Sequence, residues 1–524
     1  MKKITNMFLR KLIAVLISIL LLSSGWLGFT GLTLLVALVP LLWISAHAED
    51  SRQGWWETFG WALLTFVGWN LSTIWWIGYA TPIGPFAATL ASSFYSMLAF
   101  MLFHTVSKRA PKALAYTLLV SIWIAFEYNY TVSDFSWPWL LLGNGFSNQI
   151  WSIQWYEYTG IFGGSLWVLL SNILIFEAVL ARNIISKWVA AAIVVALPLV
   201  SSIVIYTTYE ESEGAEQMEI SVIQPNVDCY DTSYSDEQQE NNLLELLSQV
   251  PSSSQLVVMP EGAAPECHWE SQLNRAPYFH MLRETLSPNA TLIFGAYTRF
   301  LYPEGEESDT SRPIPNKSQR YDLFNSAIAL SRKSPIDLRH KARLVIGVEN
   351  TPTWIFDLFK FFVIEIGDDL GQVGKGTEGE VFDIDSHKVG AAICYEGLYG
   401  NFFSEFARNG AELMTIISND CWWEDTPGHK HLYSLSAVRA VETRRAIARS
   451  ANTGTSGFIT SRGDSVESLG WEQRGVITQS LTLNDKMTIY TLYGDYIARI
   501  ASFVAVLSLL YYLVYRSRRR HHLV

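Results

Sequence analysis

Val389-Gly-Ala-Ala-Ile-Cys-Tyr-Glu396 is a short apolar, strand-like run that ends on a thiol and a carboxylate. Cys394 stands where the strand stops, which makes it the first candidate nucleophile of the chain. Working outward, residues 216–486 alternate β-rich runs with helical stretches. Strands are expected at 218–224, 255–260, 292–298, 325–330, 388–394, 412–418 and 456–460, and the clearest helix at 429–450. Such alternation points to an α/β domain of stacked layers.

The rest of the 524 residues reads differently. Residues 1–207 are poor in charge and rich in apolar side chains, whereas the polar domain holds most of the Asp and Glu and so most of the net charge of −11. No basic stripe lies outside the short tails, which argues against a nucleic-acid partner. A helix crossing a bilayer needs about 20 mostly apolar residues. Seven such segments are expected, at 9–27, 29–47, 57–79, 84–106, 113–130, 161–181 and 188–207, and an eighth at 493–515. The domain plan is therefore a membrane domain over 1–207, a polar domain over 216–486 and a C-terminal span over 493–515. The basic start (Lys2, Lys3, Arg10, Lys11) raises a cleaved signal peptide, but the spans that follow favour an uncleaved first helix.

Lys and Arg accumulate in cytoplasmic loops. With the N-terminus inside, the cytoplasmic segments carry Arg52, Lys108, Arg109, Lys112, Arg182, Lys187 and the C-terminal arginines, and the opposite loops carry none. The polar domain is thus expected outside the cytoplasm, in the periplasm of a two-membrane bacterium. Trp55, Trp56, Trp75, Trp76, Trp137, Trp139, Trp151 and Trp155 fall near span ends and read as an aromatic belt, and the loop 131–160 as an interfacial segment.

Two further polar residues stand beside the expected strands. Glu261 follows Leu256-Val-Val-Met-Pro260, and Lys341 lies in His340-Lys-Ala-Arg-Leu-Val345. A thiol is only a few per cent thiolate at neutral pH and needs a base. A partly desolvated glutamate can serve, and a lysine can lower the thiol pKa and stabilise an oxyanion. Each alone is a weak sign: a buried Cys is usually a small core hydrophobe, a lone Lys a surface group and a Glu after a strand a helix cap. His429 and His431 near Cys421 lack a ligand signature, so no metal is expected. Cys229 and Cys267 share a compartment and are candidates for a disulfide.

Pro260-Glu261, Lys341 with Leu344 and Glu349, and Cys394-Tyr395-Glu396 resemble the Glu-Lys-Cys signature of the nitrilase (carbon–nitrogen hydrolase) superfamily. Ser418-Asn-Asp-Cys-Trp-Trp423, Gly428, His431, Arg439-Ala-Val-Glu442 and Arg449-Ser-Ala-Asn-Thr-Gly454 continue the likeness. Such a domain preceded by seven spans and followed by one is similar to the apolipoprotein N-acyltransferase family. The resemblance implies an αββα sandwich in which Glu261 is the general base, Lys341 the oxyanion partner and Cys394 the acylated nucleophile. It further implies Glu349 as a supporting carboxylate, and Tyr395 and Glu396 as the residues after the nucleophile, with the Tyr395 N–H completing an oxyanion hole. The implied reaction takes an acyl chain from a phospholipid and passes it to a diacylated apolipoprotein, in the inner membrane, without cofactor or metal and as a monomer. The residue-level alternatives are a membrane-tethered amidase and a non-catalytic assembly or transport factor. Met259 and Ile346 depart from the family's common tryptophan and proline, and Tyr230 or Tyr234 is expected in place of a lid tryptophan. Residues 352–366, rich in Phe and Ile, are expected either to guide acyl chains at the interface or to pack on the domain.

Overall fold

The computed structural model describes residues 2–521 apart from 134–135, 212–213, 231–232, 234, 347 and 351–371. The segment 352–366, Tyr234 and the acidic Asp134 therefore lie outside the described residues. The chain divides into two compact units, Met1–Thr208 with Tyr493–Val524, and Tyr209–Leu492.

In the first unit, five helices among the described residues are long and apolar enough to cross a membrane: Asn6–Ser23, Gly84–Ser107, Tyr156–Leu180, Ile185–Thr208 and Tyr496–Arg519. The other three expected spans are helical but fall short of that measure. Gly31–His47 is apolar but short and broken near Leu38. Arg52–Ile74 and Lys112–Val132 are 23 and 21 residues long, but Trp, Thr and Asn in the first and Glu127 and Asn129 in the second lower their hydropathy.

The middle of the loop 131–160 is buried within the unit. From Pro138 to Phe146 it forms two short 3-10 turns whose residues are all buried. Its backbone is satisfied from inside the unit: Leu142 N–H donates to Glu127 Oε1 (2.8 Å), Gly143 N–H to Ser165 Oγ (3.1 Å), and Tyr156 OH to the Gly143 carbonyl (2.9 Å). A Cβ on Gly25 or Gly31 would strike the Gly145 carbonyl, so glycine is what lets the first helix and its exit approach the loop. Burial also corrects the aromatic belt, since Trp76 and Trp139 pack on each other in the interior while Trp56, Trp75 and Trp151 stay exposed.

The second unit is built on two sheets. β1 (Gln217–Gln224), β2 (Leu256–Val258), β3 (Ala264–Trp269), β4 (Thr291–Leu301), β5 (Arg312–Pro313), β6 (Arg320–Ser331) and β7 (Asp337–His340) form one, ordered β1-β2-β4-β6-β5 with β3 on β4 and β7 on β6. β8 (Val381–Ile384), β9 (His387–Ile393), β10 (Leu413–Ser418), β11 (Ala446–Ala451), β12 (Ser456–Ile459) and β13 (Ser465–Leu469) form the other in chain order, and β14 (Gly475–Thr482) returns antiparallel to β1. Ile220, Val222, Val258 and Ile293 of the first sheet share one core with Val389, Ala391, Ile393, Leu413 and Ile417 of the second, so the sheets face each other. The first sheet's outer face (Val257, Leu292, Phe294, Ile328) packs on Leu243, Leu246, Phe279 and Leu282 of the helices Asp236–Ser248 and Pro277–Thr285. The helices Gly400–Arg408 and Pro427–Thr443 lie against strands of the second sheet, which gives the order helix, sheet, sheet, helix.

The helix expected over 429–450 ends at Thr443. Arg444 turns through a left-handed conformation (φ 52°) and Ala446–Ala451 becomes β11, paired in parallel with β10. Ala and Arg favour helix by propensity. Here pairing and the burial of Ala446 and Ala448 between the sheets override it.

Candidate active site

β1, β2 and β4 run parallel, as do β9, β10 and β11. The carboxyl ends of such strands are where open sheets present functional groups. Glu261 follows β2, Cys394 follows β9 and Asn419 follows β10. Lys341 comes directly after β7, its N–H bonded to the Asn325 carbonyl of β6 (2.8 Å).

At Cys394 the chain leaves β9 for a 3-10 turn, and the residue sits at φ 51°, a left-handed conformation that a side chain adopts at a cost. The carboxylate of Glu396 holds this turn. Its Oε2 accepts from Ile393 N–H (2.8 Å), while Oε1 accepts from Ala342 N–H (2.6 Å) and Arg343 N–H (3.1 Å). One buried side chain thus ties the turn of Cys394 to the segment carrying Lys341. Burial pushes the Glu396 carboxyl up to about 7 against these three donors.

Lys341 is almost fully buried. Its Nζ donates to Glu349 Oε1 (2.9 Å) and Glu261 Oε1 (3.3 Å). Burial opposes its charge, but Glu261 and Glu349 outweigh burial and hold the ammonium well above the ordinary lysine range. Asn325 Nδ2 bridges the same two carboxylates, at 2.7 Å to Glu261 Oε1 and 3.0 Å to Glu349 Oε1. The second oxygens are held by backbone: Asn419 N–H donates to Glu261 Oε2 (3.1 Å) and Val345 N–H to Glu349 Oε2 (2.9 Å). Gly295 N–H bonds the Pro260 carbonyl (3.0 Å), and a Cβ on Gly295 would lie 2.6 Å from Glu261 Cα, so β4 comes this close to Glu261 only as glycine.

Lys341 lowers the thiol pKa as expected, but other influences outweigh it. Burial first, then Glu261, push Cys394 above the ordinary thiol range, and Lys341 offsets only part of that. The resting residue is therefore a thiol. To serve as a nucleophile, such a thiol needs a base to take its proton.

The site is buttressed from β10 and β11. Asp420 accepts from Arg449 Nη2 through both oxygens (2.9 Å each) and from Ser418 Oγ (2.7 Å), which fixes the loop that presents the Asn419 N–H. Asn325 and Asn419 were not singled out from the sequence. Asn325 had a signal, an amide inside the mostly apolar Leu323-Phe-Asn-Ser-Ala-Ile-Ala-Leu330. Asn419 acts through its backbone and had none. Met259 packs in the core on the helix side of the first sheet. Nothing in the structure explains isoleucine at position 346.

Cys229 lies beside Cys421, donating its N–H to Cys421 Sγ (2.9 Å), while Cys267 sits on β3. His429 engages Thr455 (3.2 Å) and Asp425 (3.2 Å) and packs on Trp471. Tyr230 donates its hydroxyl to the Trp422 carbonyl (3.0 Å).

Residues 219–487 match the carbon–nitrogen hydrolase family, and residues 15–174 match the apolipoprotein N-acyltransferase N-terminal domain. With a two-sheet domain holding this cluster, the chain belongs to the carbon–nitrogen hydrolase family. The second match and the named relatives narrow this to its apolipoprotein N-acyltransferase branch. The apolipoprotein N-acyltransferase of Chlorobaculum tepidum is 27% identical over 90% of this chain and 90% of its own length. That of Geobacter metallireducens is 26% identical over 78% of this chain and 76% of its own. That of Gloeobacter violaceus is 24% identical over 93% and 90%.

Proposed function

We propose that this enzyme moves a fatty acyl chain from a phospholipid, through a thioester on Cys394, to the α-amino group of the N-terminal diacylglyceryl-cysteine of apolipoproteins. The observation that carries the reading is the buried cluster in which Lys341 and Asn325 each touch both Glu261 and Glu349, at the strand ends that also present Cys394. Glu261 takes the thiol proton as sulfur attacks the sn-1 ester carbonyl. Lys341 and the Tyr395 N–H stabilise the tetrahedral oxyanion, which collapses as the lysophospholipid oxygen leaves with the proton from Glu261. The acceptor amine then attacks the thioester, Glu261 takes its proton, and the sulfur leaves as the thiol. Glu349 and Asn325 keep Lys341 and Glu261 in register, and Glu396 keeps Lys341 level with Cys394.

In this reading all eight helices span the bacterial inner membrane, the catalytic domain over 216–486 is periplasmic, and the enzyme works as a monomer. Incubation with phospholipid followed by mass spectrometry is expected to show an acyl adduct on Cys394 that Cys394→Ser lacks. A diacylated lipopeptide should then gain one acyl chain. Ammonia release from small amides with no adduct would replace transfer by hydrolysis. A periplasmic reporter fused near residue 300 should be active, and activity of a cytoplasm-only reporter there would reverse the topology.

A further inference from the structure

Outside the Glu261–Lys341–Cys394 cluster, three groups converge on one point: Asp228 and Cys229 on the loop leaving β1, and Cys421 on the loop leaving β10. Their donor atoms lie within 4.8 Å of one another, with Cys421 Sγ 3.7 Å from Asp228 Oδ1 and 2.9 Å from Cys229 N. The two loops are also joined through Asn452, on the loop leaving β11. Val227 N–H donates to Asn452 Oδ1 (3.1 Å), and Asn452 Nδ2 donates to the Val227 carbonyl (2.8 Å) and to Asn419 Oδ1 (3.3 Å). Tyr230 and Trp422 close the far side through the hydroxyl–carbonyl bond and an edge contact with ring centroids 5.9 Å apart. The sulfurs are thus brought together by backbone geometry, not by a chance approach of long side chains.

We propose that Cys229 and Cys421 form a disulfide that staples the exit loop of β1 to the exit loop of β10, beside the Asn419 N–H that holds Glu261. Cys229 is partly exposed and Cys421 is buried, so an external disulfide, R–S–S–R, meets Cys229 first. The Cys229 sulfur attacks it and expels one R–S⁻, which takes the Cys229 proton. The Cys421 sulfur then attacks Cys229 Sγ, expels the second R–S⁻ and gives up its own proton to it. Two protein thiols are oxidised by two electrons and one external disulfide is reduced to two thiols. The bridge shortens the motion open to the loop that carries Asn419, and so holds the base in place. The proposal rests on the extracytoplasmic placement above only for an environment that keeps such a bond oxidised.

Full-length protein purified in detergent is equilibrated across reduced and oxidised glutathione, alkylated and mapped by mass spectrometry. The expected result is a peptide joining 229 to 421, and a melting temperature that falls by several degrees on reduction. That fall should vanish in Cys421→Ala and, should that variant not fold, in the partly exposed Cys229→Ser. Alkylation of both thiols in fully oxidising buffer, a Cys229–Cys267 link, or protection that a chelator abolishes would each overturn the bridge. Because the titration is done on isolated protein, its failure counts against the bridge, whereas the reporter fusion alone tests the placement.

Discussion

The two sheets of the catalytic unit contribute different things to one site. From the first come side chains: Glu261 after β2, Asn325 within β6, Lys341 after β7, and Glu349 just beyond. From the second comes geometry: the Cys394 thiol in a left-handed turn at φ 51°, and a backbone N–H at Asn419 that reaches 3.1 Å across to Glu261 Oε2. The charged half sets the protonation of the site, and the other half sets where the thiol stands. Glu396 links the two halves, with one oxygen on the turn of Cys394 and the other on the segment that carries Lys341.

The largest effect is expected from removing what only the second sheet supplies. Cys394→Ser should lower transfer to a diacylated lipopeptide by roughly 10⁴-fold or more, because an unactivated hydroxyl does not replace the thiol. Lys341→Met breaks the other half by leaving two buried carboxylates without their shared cation. Transfer should fall by about 10²–10³-fold, and unfolding in detergent should show a loss of about 3–5 kcal/mol. The double variant Lys341→Met with Glu349→Gln should recover much of the stability and none of the activity, which separates charge balance from catalysis.

Asn325→Ala is a finer cut, since it removes the bridge between the carboxylates and leaves the lysine. A fall in turnover of roughly tenfold to a hundredfold is expected, the rate equivalent of about 1–3 kcal/mol, with donor KM nearly unchanged. The smallest effect concerns the link between the sheets and is read through pH. Burial raises the Glu396 carboxyl from 4.5 to about 7, so between these values the folded protein binds a proton that the unfolded chain does not. Stability contributed by this group is therefore greatest below about pH 4.5, declines as pH rises to about 7 and is level above. Thermal unfolding from pH 4.5 to 8 should show that decline in the wild type, and Glu396→Gln should flatten it.

Much of this was legible in the chain. Five of the expected spans appear as long apolar helices, because a run of about 20 apolar residues admits few other structures. The strands leading to Glu261 and Cys394 announce themselves by apolar runs ending in a polar residue. The helix expected over 429–450 failed in its second half, where Ala446-Ile-Ala-Arg-Ser-Ala451 has helical propensity and is a strand only because β10 lies beside it. The loop Pro138–Phe146 looked polar enough for an interface, yet it is buried because Glu127, Ser165 and Tyr156 satisfy its backbone.

The sequence by itself determined which atoms are available: one thiol at a strand end, a lysine, two carboxylates and the apolar helices that commit the chain to a membrane. Those follow from residue chemistry and from hydropathy summed along the chain, both of which are local. Only the tertiary structure decided that Asn325 joins the two carboxylates, that Glu396 spans the sheets, and that Cys421 and not Cys267 meets Cys229. It also decided that the thiol rests protonated. Those are matters of distance and burial between segments far apart in the chain, and the last depends on the balance of desolvation against neighbouring charge, which exists only once the sheets are packed.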